Sequence, residues 1–304
     1  MAVHKKKTIH DTIFNVVNYS LLALLAVSTL YPFLYFLVLS FNDGFDTLKG
    51  GIYFWPRAFT LDNYKKAFQN PLILNSFQIS ILRTVIGTSL SLLLTTMMAY
   101  ALTKKKLPGR TFFIFFFYFT TLFSGGLIPK YVLYRDLHLT NNFWIYVLPG
   151  IYSFYNAIII RTFFDGIPAS LSESAMLDGC SDNRIFFKIY LPLSLPVLAT
   201  VALFCGVGHW NDWFTGAFFV TNEKLIPAAT LLNKLLSEAS FETSMAGGDK
   251  MQQMDRMMQT VKTNVTPEAL RMTFLIIITL PIVCVYPFLQ KYFVKGVMVG
   301  SIKE

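Results

Sequence analysis

The sequence predicts an all-α membrane protein with six transmembrane helices. Three observations predict it. Fifty-four per cent of the residues are hydrophobic, only 14% are charged, and the mean hydropathy is +0.50; a soluble domain carries about 25% charged residues. The apolar residues come in long blocks instead of periodic stripes, several of them close to the ~20 residues that cross a hydrocarbon core. Lys and Arg gather beside particular blocks, as they do beside spans.

The blocks lie at 14–41, 76–101, 112–128, 143–163, 193–219 and 270–293. The first follows Lys5, Lys6 and Lys7. It is too long for a signal-peptide core and has no small-residue cleavage site after it, so it is expected to be a retained helix. Residues 42–75 contain Gly44, Gly50, Gly51 and Pro56 and an amphipathic stretch at 62–68. The second block carries Ser80, Thr84, Thr88, Ser91 and Thr95 at helical spacing, with Arg83 beside them. The third is the shortest and ends in Ser124-Gly125-Gly126, which predicts unwinding there. Residues 129–142 read as a short connector. Pro32, Pro149, Pro196, Pro281 and Pro287 lie in or at the ends of spans, where neighbouring helices can satisfy the freed carbonyls. Residues 220–269 form the longest loop, with an expected amphipathic helix at 228–236 and a Met-rich polar run at 251–258. Such long loops are usually functional or disordered.

Orientation follows from basic flanks. Lys5 to Lys7 before the first span, Lys104, Lys105, Lys106 and Arg110 after the second, and Lys291, Lys295 and Lys303 after the sixth fall on one side. Both termini are therefore expected in the cytoplasm. The layout is a cytoplasmic N-terminus at 1–13, a six-helix transmembrane region at 14–296 and a cytoplasmic tail at 297–304. Within it, loop 164–192 is cytoplasmic and loop 220–269 extracytoplasmic.

Several functions lose support. The net charge of +9 and pI near 9.3 sit next to spans, which reads as topology signal and contact with anionic lipid, not nucleic-acid binding. Cys180, Cys205 and Cys284 fit neither a zinc site nor a disulfide framework and read as small apolar filler. His4, His10, His138 and His209 are scattered, and no HExxH or GxSxG occurs. The chain lacks GxxxxGK[ST] and is not expected to hydrolyse ATP. A secondary transporter would tend to show inverted repeats, and none is visible.

The loop between spans four and five carries the most information. Pro168 suits a first helical turn, and Ser170 with Glu173 has capping-box spacing. Leu171, Ala175 and Met176 can share an apolar face, and Gly179 permits a left-handed stop. A second short helix with Phe186, Phe187 and Ile189 then leads into Pro192. On these grounds alone the loop is an interfacial connector or a docking element.

The residue order resembles a known family. Glu173-Ser174-Ala175, then Asp178-Gly179, then Ile189-Tyr190-Leu191-Pro192 and Pro196 are similar to the Glu-Ala-Ala loop of ABC importer permeases, with Ser174 in place of the usual second alanine. Ser124-Gly125-Gly126-Leu127-Ile128-Pro129, Arg161-Thr162-Phe163-Phe164 and Tyr286-Pro287-Phe288-Leu289-Gln290-Lys291-Tyr292-Phe293-Val294-Lys295-Gly296 resemble the maltose-type branch, and within it permeases for complex oligosaccharides. The resemblance implies a type I ABC importer transmembrane domain in the cell (inner) membrane. It implies a heterodimer with a second permease, two cytoplasmic ATPase subunits that use ATP and Mg, and an extracytoplasmic solute-binding protein. It implies no cofactor on this chain, and an oligosaccharide substrate. Glu173, Ser174, Ala175, Asp178, Gly179, Leu191 and Pro192 would then couple to the ATPase, with Ala175 and Gly179 letting the surfaces approach. The long loop 220–269 would meet the binding protein.

Polar residues inside spans are costly and usually face a cavity or the bundle interior. Arg83, Tyr155, Asn156, Trp210, Asn211, Asp212 and Trp213 are the candidates for a substrate pathway, since aromatic faces and hydrogen-bonding groups hold sugars. Each has a plainer reading. Ser and Thr of the second span can pack helix on helix, Arg83 can snorkel to the surface, and the tryptophans can form an interfacial belt. His209 reads as a hydrogen-bonded structural residue. Import of a non-sugar solute is the neighbouring alternative.

Overall fold

The computed structural model describes residues 9–245 and 265–301. Among them nearly everything ordered is helical, and one isolated bridge, Asn42 with Phe59, is the only β pairing. Three single helices are long and apolar enough to cross a membrane, and three bent helix pairs bring the number to six when each pair counts as one span.

The single helices are α1 (Ile9–Ser40), α4 (Pro71–Thr103) and α14 (Pro267–Ser301). Between the first two come α2 (Gly44–Leu48) and α3 (Asp62–Gln69), the latter at the expected amphipathic stretch. The third span is α5 (Arg110–Leu122) turned by 116° into α6 (Leu127–Asp136). The break falls at the expected Ser-Gly-Gly, with Gly126 at φ +82°. Residues 129–142, expected as a plain connector, therefore hold most of a helix. The fourth span opens with 3-10 turns at Phe143–Tyr146 and Leu148–Gly150 and continues, after a 49° bend, as α7 (Phe154–Asp165). Pro149 and Gly150 keep its first part from being a regular α-helix.

The loop after α7 forms α8 (Ala169–Leu177) and α9 (Asp182–Ile185), then a π turn at Phe186–Tyr190 and α10 (Leu191–Leu193). Pro192 cannot donate to the helical ladder, and Leu191 N–H bonds Phe186 O in the wider turn just before it. The chain bends by 83° into α11 (Leu195–Asn211). The fifth span, expected as one helix over 193–219, breaks at Asp212 and restarts as α12 (Phe214–Phe219). The helix expected at 228–236 is longer, α13 (Ala228–Met245). The Met-rich run 251–258 lies outside the described residues.

The chain divides into two compact units, residues 1–70 with 240–279, and 71–239 with 280–304. In the first, the end of α1 is tied down by asparagines. Asn63 Nδ2 donates to Ser40 O at 3.0 Å and Asn42 O at 2.8 Å, and Ala58 N donates to Asn42 Oδ1 at 2.8 Å. Asp43 caps α2, and Arg57 pairs with Asp46 at 2.9 Å. These bonds fold residues 42–70 into ordered structure beyond the amphipathic stretch that the sequence shows.

In the second unit α4 is the central helix, packed along both α7 and α11. Its buried face repeats every three or four residues: Ser76, Ser80, Arg83, Gly87, Ser91, Thr95, Ala99. Small side chains let backbones approach, which is how helices pack where lipid removes most of the hydrophobic drive. Gly87 shows how closely: a Cβ there would lie 2.6 Å from the His209 ring.

Candidate functional site

The first candidate site is the loop that begins with α8. The helix starts at Pro168 with no side-chain cap, so the expected Ser170–Glu173 capping box does not form; Ser170 lies inside the first turn. Its stop is as expected. Gly179 takes φ +78°, Gly179 N donates to Met176 O at 3.0 Å, and Cys180 N donates to Ala175 O at 2.9 Å. These two bonds make a Schellman motif, which a residue with a Cβ resists because of the positive φ.

The faces of α8 differ from expectation. Ser172 is buried and Ala175 half-buried, the latter against the unit's main core, while Leu171 and Met176 are exposed. The expected shared apolar face is thus split, because Ala175 is drawn inward with Cys180. Glu173, Ser174, Asp178 and Gly179 are exposed, and Leu177 is 90% exposed.

The segment after Gly179 is wedged against the ends of α4 and α7. Ile185, Phe186 and Tyr190 are buried with Ala99, Tyr100, Ala157, Ile160 and Phe164. Tyr100, Phe164 and Tyr190 meet edge to face, with centroids 4.9 to 6.3 Å apart. Leu191 is partly buried against this core, and Pro192 is exposed. Asp182 adds a polar link: Lys104 Nζ donates to its Oδ1 at 2.7 Å, and the Tyr100 hydroxyl lies 3.3 Å from the same oxygen. The Lys104 bond holds the Asp182 carboxyl below the usual carboxylate range. Burial works against the Lys104 charge, but its bonds to Asp182 and Tyr100 outweigh that and raise its pKa. Tyr100, Lys104 and Asp182 are not apparent as a site from sequence, since the pairing residues lie 78 and 82 positions apart.

The second candidate is the polar stripe of α4 and the residues after α11. Arg83 is 1% exposed, so it does not snorkel. Its Nη2 donates to Asp212 Oδ2 at 2.6 Å, its Nη1 to Asp212 O at 2.9 Å, and the guanidinium lies 4.5 Å from the Tyr146 ring. Asp212 Oδ1 accepts from Thr215 N at 3.0 Å. The arginine thus satisfies a carbonyl freed by the break of the fifth span, and the aspartate caps the helix that follows. Two other stripe residues do the same job. Thr95 Oγ1 accepts from Ser153 N at 3.1 Å, at the bend of the fourth span, and Ser80 Oγ accepts from Ala228 N at 2.8 Å. Backbone groups left open at broken helices are costly in lipid, and α4 supplies their partners.

The pathway candidates consequently separate. Arg83, Asn156 and Trp210 are buried. Asn156 Nδ2 donates to Cys205 Sγ at 3.5 Å, and Trp210 packs on Phe77 at 6.3 Å. Cys205 is therefore more than filler. Tyr155, Asn211 and Trp213 are exposed, and Asp212 is partly so. His209 of α11 packs its ring against Gly87 of α4.

This arrangement has close parallels. The chain is 38% identical to protein LplC of Bacillus subtilis (strain 168) over 97% of its own length and 98% of that protein. It is 36% identical to the polygalacturonan/rhamnogalacturonan transport system permease protein YtcP of the same organism, over 96% and 99%. Its fold matches a crystal structure of a bacterial ABC transporter involved in the import of the acidic polysaccharide alginate. That match has a TM-score of 0.83 at 30% identity and covers 94% of this chain and 98% of the other. The model of binding-protein-dependent transport system inner membrane components matches residues 9–299. With six apolar spans and the Glu-Ala-Ala type loop folded as a stopped surface helix, the chain belongs to that family and is a permease subunit of an ABC importer.

Proposed function

We propose that this permease receives oligosaccharides from an extracytoplasmic binding protein and passes them inward, driven by two partner ATPases, one of which docks on α8. The observation that carries the reading is α8 itself. It offers Glu173, Ser174, Met176, Leu177 and Gly179 outward, while Ala175 and the residues after Cys180 key into the ends of α4 and α7. A short helix with a fixed stop transmits displacement instead of absorbing it. Glu173 would meet a basic group of the ATPase, and Gly179 would allow close approach.

The basic flanks place α8, both termini and Lys104 on the cytoplasmic side. The loop from 220 onward then faces the binding protein, and a second permease completes the pathway as a heterodimer. ATP and Mg belong to the ATPases, and this chain binds no cofactor. Residues 1–13 and 297–304 are cytoplasmic extensions of the permease region 14–296. Of the pathway candidates, Tyr155, Asn211 and Trp213 would touch sugar, a reading supported by their exposure. Oligosaccharide as substrate is supported by the relatives, whose names specify polygalacturonan/rhamnogalacturonan, arabinooligosaccharides and galactooligosaccharides.

Uptake by cells carrying the whole transporter tests this, with tritiated oligogalacturonides and neutral galacto-oligosaccharides as probes. Gly179→Asp and Glu173→Lys should abolish uptake while the permease stays in the membrane at normal levels. Wild-type uptake in both variants would overturn the docking assignment. Uptake of neither sugar set by the wild type would turn the substrate toward a non-sugar solute.

A further inference from the structure

Displacement of α8 has covalent routes into two spans, through Gly166 and Pro168 into α7 and through α9 and α10 into α11. It has no short one into α4, which ends at Thr103; Lys104, the next residue, lies 78 positions before Asp182. Yet α4 is the helix that packs on both α7 and α11, and whose stripe holds their broken backbones. Whatever moves the unit as one body must therefore reach α4 through space.

Two kinds of contact are available. The aromatic wedge of Phe186 and Tyr190 against Tyr100 holds by ring packing, tilted and edge to face, and carries no ion pair. The polar link is directional. Lys104 Nζ reaches Asp182 Oδ1 at 2.7 Å and lies 4.5 Å from the Tyr100 ring centroid. The Tyr100 hydroxyl in turn stands 3.3 Å from Asp182 Oδ1 and 3.4 Å from its carbonyl. The end of α4 is itself braced, since Arg110 Nε donates to Leu102 O at 2.8 Å. Asp182 is the first residue of α9, three positions past the Gly179 stop, so it moves with α8.

We propose that Lys104 and Tyr100 are positioning residues that carry the displacement of α8 into α4 by gripping Asp182. The proposal rests on the docking of an ATPase at α8. As a surface ion pair the link adds little to stability. Its worth lies in holding direction, so its loss should separate the two helices' motions without unfolding the protein.

Hydrogen exchange on the intact transporter complex, nucleotide-free and trapped with ATP, Mg and vanadate, measures both helices at once. In the wild type, segments 169–190 and 97–110 should both change exchange rate on trapping. In Lys104→Met and in Asp182→Asn, 169–190 should respond as before, while the response of 97–110 falls at least threefold. The exchange Lys104→Asp with Asp182→Lys should restore it to within twofold, and Tyr100→Phe should give an intermediate loss. A full response of 97–110 in both single variants would overturn the proposal, as would failure of the charge exchange to restore it. No response of 169–190 in the wild type would instead overturn docking at α8. Asp182 is two-thirds exposed, so Asp182→Asn supplies the reading if Lys104→Met is poorly produced.

Discussion

Arg83 binds both the side chain and the main chain of Asp212, at 2.6 and 2.9 Å, from a position on α4 where it is 1% exposed. One residue thereby neutralises a buried charge and closes the backbone gap where the fifth span breaks. Arg83 is thereby bonded within the chain.

Arg83→Leu should destabilise the permease by about 2 kcal/mol, the scale of losing hydrogen bonds to a charged group, since Asp212 is itself partly exposed. Arg83→Lys should recover only part, because an ammonium lacks the planar fork that reaches both acceptors. Melting of purified protein in detergent checks this; equal melting temperatures for wild type and Arg83→Leu would contradict it.

Gly87 faces His209 so closely that a Cβ would stand 2.6 Å from the ring. Gly87→Ala should cost about 1–3 kcal/mol by overpacking. His209→Ala on top of it should return most of that loss, giving a coupling term of at least about 1 kcal/mol in a double-mutant cycle. Additive effects would show that the contact is absent.

Much of this was legible in sequence and some was not. The spans were, because hydropathy is a local property, and so was the break at Gly126. The Gly179 stop was legible for the same reason, since a Schellman turn is decided within six residues. The break at Asp212 was not. Its cause is a donor 129 positions away, and the polar residues around it read as a sugar site. The capping box at Ser170 had the right spacing but the helix begins earlier, at Pro168, whose fixed φ already suits the entry. The grip on Asp182 is likewise long-range, and no local pattern announces it.

At Gly179 two requirements can be separated. Asn tolerates the left-handed conformation, and nothing within 4 Å in this chain would meet a new Cβ. Gly179→Asn should therefore fold and melt within about 1 kcal/mol of wild type yet lose uptake, because the obstruction falls on the partner. Normal uptake would confine the role of Gly179 to stopping the helix.

The Lys104–Asp182 pair has a defined pH range. Asp182 is held below its ordinary value by the Lys104 bond, so its contribution is present above the unfolded carboxylate pKa and is lost as pH falls through the lowered folded value. Lys104 is raised, so its share is lost only as pH climbs past its own folded value. The melting difference between wild type and Lys104→Met should be flat from about pH 5 to 9 and shrink below about pH 4. A step near neutral pH would mean another group governs the pair.

Docking of an ATPase on α8 is the central claim, and a photocrosslinker at position 173 tests it most directly. Benzoylphenylalanine in place of Glu173, in membranes holding the complete transporter, should yield a single adduct with the ATPase subunit on irradiation. The same probe at position 172, which faces inward, should not. Adducts only with lipid, or with the other permease, would contradict the account.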